Sequence, residues 1–443
     1  MRSTKQLVLL ALVLLVVGSV NGQQPVNYKF DFGSGRVEKG YTQVLTSMVY
    51  SSEKGFGFDY GTVPTDVDRK GKQALYSDFV TSDKPFYFSV ALPEGNYRVT
   101  LIFGDLMGES DNMVRAESRR LMLESFKTAK GKFETRTFTV NVRTLKINDS
   151  TSIKLKPREK GYLNWDEKLT IEFAGKHSCV CSMEITKIEK VVTVFLAGNS
   201  TVVDQDREPW AAWGQMIPGF FTPEVCIANY AESGESLSSF KSARRLQKVL
   251  TLMKPGDYLF IEFGHNDQKQ KGEGIGPWTS YKDLLKEFIK GTREKGGIPV
   301  IVTSMNRRNF DSIGHVINTL GDYPAAARQT AKEENVPLID LNNMSKVLYE
   351  AWGPEKSVKA FVHYPANTFP GQDKPLADNT HFNTYGAYEI AKCIIEGIKA
   401  NNLGLVNYLT SDYKGFDPSK PDSVESLIWP LSPMVSNVKP DGN

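Results

Sequence analysis

Four short groups of residues carry types that could act together on a carbonyl. Gly198-Asn199-Ser200-Thr201 sets a serine just after the β-branched run Val191–Leu196. A hydroxyl on a strand-to-helix turn is exposed at a sheet edge and can be a nucleophile; the same residues also suit an ordinary helix cap. Ala231-Glu232-Ser233-Gly234-Glu235-Ser236 follows the Val225–Asn229 run. Gly234 could bring its backbone N–H close to a ligand, or simply make a turn. Phe263-Gly264-His265-Asn266-Asp267 follows Tyr258–Glu262. The Asn266 amide could donate to a developing oxyanion, and an Asx turn would use the same residues. In Asp378-Asn379-Thr380-His381 the histidine follows the aspartate by three residues. In a turn, that spacing lets the carboxylate hold one imidazole nitrogen while the other faces the site. A nucleophile, an oriented base and oxyanion donors are the parts of an acyl-transfer centre.

Such groups need a scaffold that converges them. From Val191 onward, compact apolar runs alternate with helical patterns. Strands are expected at Val191–Leu196, Val225–Asn229, Tyr258–Glu262, Ile298–Thr303 and Pro337–Asp340. Helices are expected at Ser236–Leu250, Tyr281–Lys295 and Thr384–Ala400. This alternation predicts an α/β domain with a parallel sheet covered on both faces. In such sheets ligands bind beyond the carboxyl ends of the strands, where the four groups fall. From Asn27 to about Lys190 the texture differs. Short alternating runs (Phe86–Val90, Tyr97–Phe103, Phe138–Val142, Lys168–Phe173, Ser182–Ile188) are separated by turn clusters, which predicts an antiparallel β-sandwich. Arg115–Phe126 reads equally as a helix or an ordered insertion. After Asn401 the tail is polar and Pro-rich, with Ile428-Trp429-Pro430-Leu431 its one apolar anchor.

The order Ser, Gly, Asn, Asp-x-x-His at successive strand ends is more specific than any piece. It resembles the SGNH hydrolase family, esterases with a flavodoxin-like parallel sheet. Gly198-Asn199-Ser200-Thr201-Val202, Gly264-His265-Asn266-Asp267, Asp378-Asn379-Thr380-His381-Phe382 and the run Val300–Arg308 are most similar to rhamnogalacturonan acetylesterases. The likeness covers roughly Val191 to Ala400. It implies a carbohydrate esterase that removes acetyl groups from pectic polysaccharide, with Ser200, His381 and Asp378 catalytic. The Ser200 N–H, the Gly234 N–H and the Asn266 side chain would form the oxyanion hole. No metal or organic cofactor is implied. The family usually has Asp where this chain has Asn199, which is neither nucleophile nor base and keeps most of the local hydrogen bonds. Another acetylated glycan such as xylan, a lipid ester, or a non-catalytic glycan-binding role are the alternatives. Glu232, Glu235, Asp267, Arg307 and Arg308 read as a polar mouth, which disfavours lipid. The first region more loosely resembles galactose-binding-like modules. It is expected either to bind glycan or to serve as a packing partner.

The expected organisation is a signal peptide over 1–22, a β-sandwich over 23–190, an esterase domain over 191–405 and a tail over 406–443. The basic start, the eleven-residue apolar run Leu7–Val17 and Val20-Asn21-Gly22 have the form of a secretory leader. The mature protein is then expected to be exported, to a periplasm or beyond, without membrane insertion. Lys and Arg total 54 against 51 Asp and Glu; losing Arg2 and Lys5 brings the net charge from +3 to +1. That balance argues against a nucleic-acid binder. Cys179, Cys181, Cys226 and Cys393 could be buried thiols or form a bridge, with three complete pairings open. All candidate catalytic groups lie beyond residue 190, so the sandwich is expected to be separable from the chemistry, although Glu189-Lys190-Val191-Val192 leaves little linker and implies rigid packing.

Overall fold

Side-chain alternation builds the first half of the chain. In the computed structural model, which describes residues 27–441, Phe88 turns inward and meets Phe30, Phe32 and Phe58 edge-on. These rings lie in a core closed by Val99, Leu101, Phe103, Ile171 and Ile185. Two sheets enclose it. One runs Phe133–Val142, Gly95–Gly104, Ser178–Ile188, Asn27–Phe32, Thr42–Val44, with Asp78–Ser82 also on Ser178–Ile188. The other runs Phe56–Asp59, Phe86–Ala91, Lys168–Phe173, Ser110–Ala116, Arg120–Thr128. The segment left open by sequence, Arg115–Phe126, belongs to a hairpin of those last two strands. Its turn sets Glu117 and Arg119 at φ 55° and 60°, a left-handed geometry normally announced by Gly or Asn. The leader expected over 1–22 lies outside the described residues.

The second half is a five-stranded parallel sheet in the order Val225–Asn229, Val192–Gly198, Tyr258–Glu262, Ile298–Val302, Leu338–Ile339. Alternate residues feed two cores. Val194, Leu196, Phe260, Val300 and Ile339 pack with the Thr384–Ala400 helix on one face. Phe195, Leu259, Ile261 and Ile301 pack with the Lys282–Glu294 and Tyr323–Glu333 helices on the other. The helix expected over Ser236–Leu250 is two, Leu237–Ser242 and Arg245–Leu252, broken where Arg244 adopts φ 64°. The Asp378–His381 group is not in a turn. It lies on the strand Leu376–Phe382, antiparallel to Phe361–Tyr364.

The two halves share buried charge. Arg119 of the sandwich reaches Glu208 at 2.7 Å and donates to the Trp210 and Gln205 carbonyls. Arg120 and Arg143 lie 3.1 and 3.7 Å from Asp204. Met113 and Leu121 join the core around Trp213 and Met216. The tail closes over this junction: Trp429 donates its indole N–H to Glu208 and carries the Arg115 guanidinium on its ring. Of the expected anchor, Ile428 and Leu431 are exposed, and Trp429 does the packing. All four cysteines are buried free thiols. Burial pushes the Cys179 and Cys226 thiols up to about 12.

Candidate active site

The Val192–Gly198 strand ends in a turn that Asn199 ties together: its Oδ1 accepts from the Thr201 N–H at 3.0 Å and the Thr201 hydroxyl at 2.9 Å. This holds Ser200 at the carboxyl end of the sheet, where its Oγ lies 2.8 Å from His381 Nε2. His381 Nδ1 is 2.9 Å from Asp378 Oδ2. The other Asp378 oxygen accepts from the Thr380 and His381 backbone N–H groups. Burial by itself would raise the Asp378 carboxyl. The His381 hydrogen bond and charge, with those two N–H groups, outweigh it and hold Asp378 well below the usual carboxylate range. With Nδ1–H donated to Asp378, Nε2 is left to accept the serine proton.

Three loops interlock around this pair. The Glu232 N–H donates to the Gly198 carbonyl. Gly234, at φ +79°, sits against Asp441, so a side chain there would be both strained and crowded. The Asn266 amide donates to the Glu235 carbonyl at 3.0 Å and its oxygen accepts from Lys269 Nζ at 3.2 Å. Ser200, Gly234, Asn266, Asp378 and His381 therefore come from chain segments that contact one another through these bonds. The Trp210 ring stands edge-on to His381, 5.8 Å away. Beside it opens a cleft of about 280 Å³ lined by Arg158, Tyr162, Gln205, Arg207, Ser233 and Lys439, among others.

The expected polar mouth is partly wrong. Glu232, Glu235 and Asp267 are buried. Glu232 pairs with Arg158, Glu235 with Lys156, and Asp267 accepts the Leu237 N–H, so these acids brace the loops. Arg308 is held by Asn379 and Ser357. Arg307, half-buried, bonds Thr319. Among the described residues, no group of three or more His, Cys, Asp or Glu side chains is placed to hold a metal ion. No helix of the described residues is long and apolar enough to cross a membrane.

Residues 196–387 match the GDSL-like Lipase/Acylhydrolase family, and 28–146 match the galactose-binding-like domain of the beta-agarase/YXIM esterase group. Rhamnogalacturonan acetylesterase RhgT of Bacillus subtilis (strain 168) is 45% identical over 226 residues, 97% of that protein and 51% of this chain. The chain belongs to the GDSL/SGNH esterase family. The probable rhamnogalacturonan acetylesterase YesY of the same organism is 36% identical over 98% of its length and 49% of this chain. The uncharacterized esterase YxiM, also from that organism, is 26% identical and aligns along 87% of this chain and 94% of its own.

Several residues of this SGNH esterase escaped the sequence reading. Glu262 is fully buried behind the Asn199–Thr201 turn, bonded to the Trp213 indole at 2.6 Å and the Thr201 hydroxyl at 3.1 Å. Burial pushes its carboxyl up to about 8 despite those two bonds. A charged residue closing the apolar run Tyr258–Glu262 was a signal that could have found it. Gln205 donates to the Ser200 carbonyl at 2.9 Å. His265, which the sequence placed in the Phe263–Asp267 group without a role, lies buried near His381. Burial, then the charges of Arg307, His381 and Lys269, holds His265 well below the usual histidine range and keeps it neutral.

Proposed function

We propose that this esterase hydrolyses acetyl esters on pectic polysaccharide, rhamnogalacturonan foremost, through an acetyl-enzyme on Ser200. The observation that carries the reading is the continuous contact from Ser200 Oγ to His381 Nε2 and from His381 Nδ1 to Asp378. His381 takes the hydroxyl proton as Ser200 Oγ attacks the acetyl carbonyl. The negative charge moves to the carbonyl oxygen, met by the Ser200 and Gly234 backbone N–H groups and the second N–H of the Asn266 amide. Asp378 steadies the imidazolium. His381 then returns the proton to the departing sugar oxygen, and the C–O bond breaks. Water repeats the sequence: His381 removes its proton, the acetyl carbon is attacked, and Ser200 leaves with acetate formed.

The substrate rests on the relatives named as rhamnogalacturonan acetylesterases and on a cleft lined by charged and hydroxyl groups. Export through the leader at 1–22 suits a polymer too large to enter a cell. The deciding experiment measures acetate released from acetylated pectins, xylans and mannans, with Ser200→Ala in parallel. Release is expected from rhamnogalacturonan first and from none with the variant, whose circular dichroism stays unchanged. Preference for xylan would move the substrate. Activity retained by Ser200→Ala would remove the mechanism.

A further inference from the structure

The polar tail ends up at the catalytic carboxylate. Its path is fixed on both sides of Lys439. Glu208 and Ser436 exchange backbone bonds with the tail and the nucleophile-side loop: Glu208 N–H donates to the Met434 carbonyl and Ser436 N–H to the Glu208 carbonyl. The Trp210 indole, whose ring abuts His381, donates to the Ser436 carbonyl at 3.0 Å. The Asn437 amide donates to the Gly371 carbonyl. Beyond Lys439, Asp441 pairs with Arg158 and lies against Gly234. Between these anchors, Lys439 Nζ stands 3.2 Å from Asp378 Oδ2, the same oxygen that receives His381 Nδ1.

We propose that Lys439, delivered by the C-terminal segment, is a positioning residue of the active site that sets the pH range over which His381 works as a base. The inference rests on the Ser200–His381–Asp378 reading. Asp378 stabilises the imidazolium in proportion to its unshared negative charge. A fixed ammonium on the same oxygen offsets part of that charge. The imidazole then stays neutral, and so competent as a base, to lower pH, and the imidazolium becomes a better acid toward the leaving oxygen. Other groups face the same pair: Arg307 acts on Asp378, and His265 lies near His381 with Lys269 behind it. Lys269 is itself lowered, by burial and then by Arg307 and Lys439. Arg307 and His265 keep their places and charges when residue 439 changes, while Lys269 loses one neighbouring cation.

The test is the pH profile of kcat/KM on p-nitrophenyl acetate, a neutral ester too small to need the tail for binding. Lys439→Met is expected to move the acid limb upward by about half a pH unit to one unit. KM should change little, and Lys439→Arg should restore the wild-type profile. Lys439→Gln serves as the second neutral variant should the first fail to fold. Superimposable profiles overturn the proposal. So does a uniform loss of rate that arginine does not rescue, since a purely structural strut would behave that way. Ser200→Ala, assayed alongside, separates the two readings: if it stays active the nucleophile is wrong, and if it is dead while the profiles coincide only the role of Lys439 falls.

Discussion

Thr201 has one hydroxyl proton and two oxygen neighbours, Asn199 Oδ1 and Glu262 Oε1. The chain of bonds is complete when Thr201 donates to Asn199 and a protonated Glu262 donates to Thr201. The Asn199 oxygen serves here as a carboxylate oxygen would, while its amide nitrogen is buried without a hydrogen-bond partner among the described residues. Glu262 also makes a stability prediction. Its ordinary value is 4.5 and burial takes it to about 8 in the fold. Between these values the folded chain keeps a proton that the unfolded chain has released, so this group's contribution to stability falls as pH rises through that window. Glu262→Gln is expected to flatten the decline of the thermal midpoint from about pH 5 to about pH 8. Equal declines in both proteins would show that Glu262 does not titrate there. Asn266→Ala is expected to lower kcat by about 10²–10³ with KM nearly unchanged, because the donor acts in the transition state. A change in KM alone would assign Asn266 to substrate binding. Ser200, His381 and Asp378 were legible because their chemistry is distinctive and their spacing unusual. Gln205, Lys439 and Trp210 were not: each is an ordinary polar or aromatic residue, Gln205 bonded back to Ser200 within an irregular loop and the other two set by contacts with distant parts of the chain.

The loop from Val202 to Trp210 is the element on which the site turns. It follows Ser200, carries Gln205 back to the Ser200 carbonyl, and leads into Ala211, whose N–H donates to the Phe382 carbonyl on the strand bearing His381. No periodicity marks it, because it is neither helix nor strand; its form is imposed by Asn229 and the arginines around Asp204. The parallel strands were legible from their compact apolar runs. The break at Arg244 was not, since a bulky charged residue in the left-handed region gives no turn signal. Asp204→Asn tests the loop. It leaves Arg120 and Arg143 buried beside a neutral amide, and should cost about 3–5 kcal/mol, the range for removing one member of a buried charge cluster. The measurement is the urea midpoint at constant m-value. A change below about 1 kcal/mol would mean the arginines find other partners.

Across the whole molecule, the change of texture near residue 190 was visible in sequence, but the terms on which the halves meet were not. Nothing in the sequence marked Arg115, Arg119, Arg120 and Arg143 as junction residues, and all four are buried. The expected separability conflicts with these contacts. A protein starting near Lys187 would leave Asp204 and Glu208 without their guanidinium partners and uncover Trp213 and Met216. It is expected to be poorly soluble or, if folded, to lose most activity even on p-nitrophenyl acetate. Full hydrolysis by a soluble fragment would reduce the sandwich to a packing partner. RhgT is matched over 97% of its length by about half of this chain, so the catalytic unit has relatives without a corresponding first half. The carboxylates at 204 and 208 bear on how such a chain can be inherited. A recombination event that swapped in a foreign first half would have to bring guanidinium groups to the same places, because burying either acid unpaired costs several kcal/mol. A foreign first half is consequently expected to be tolerated by this second half only where its own arginines reach both acids.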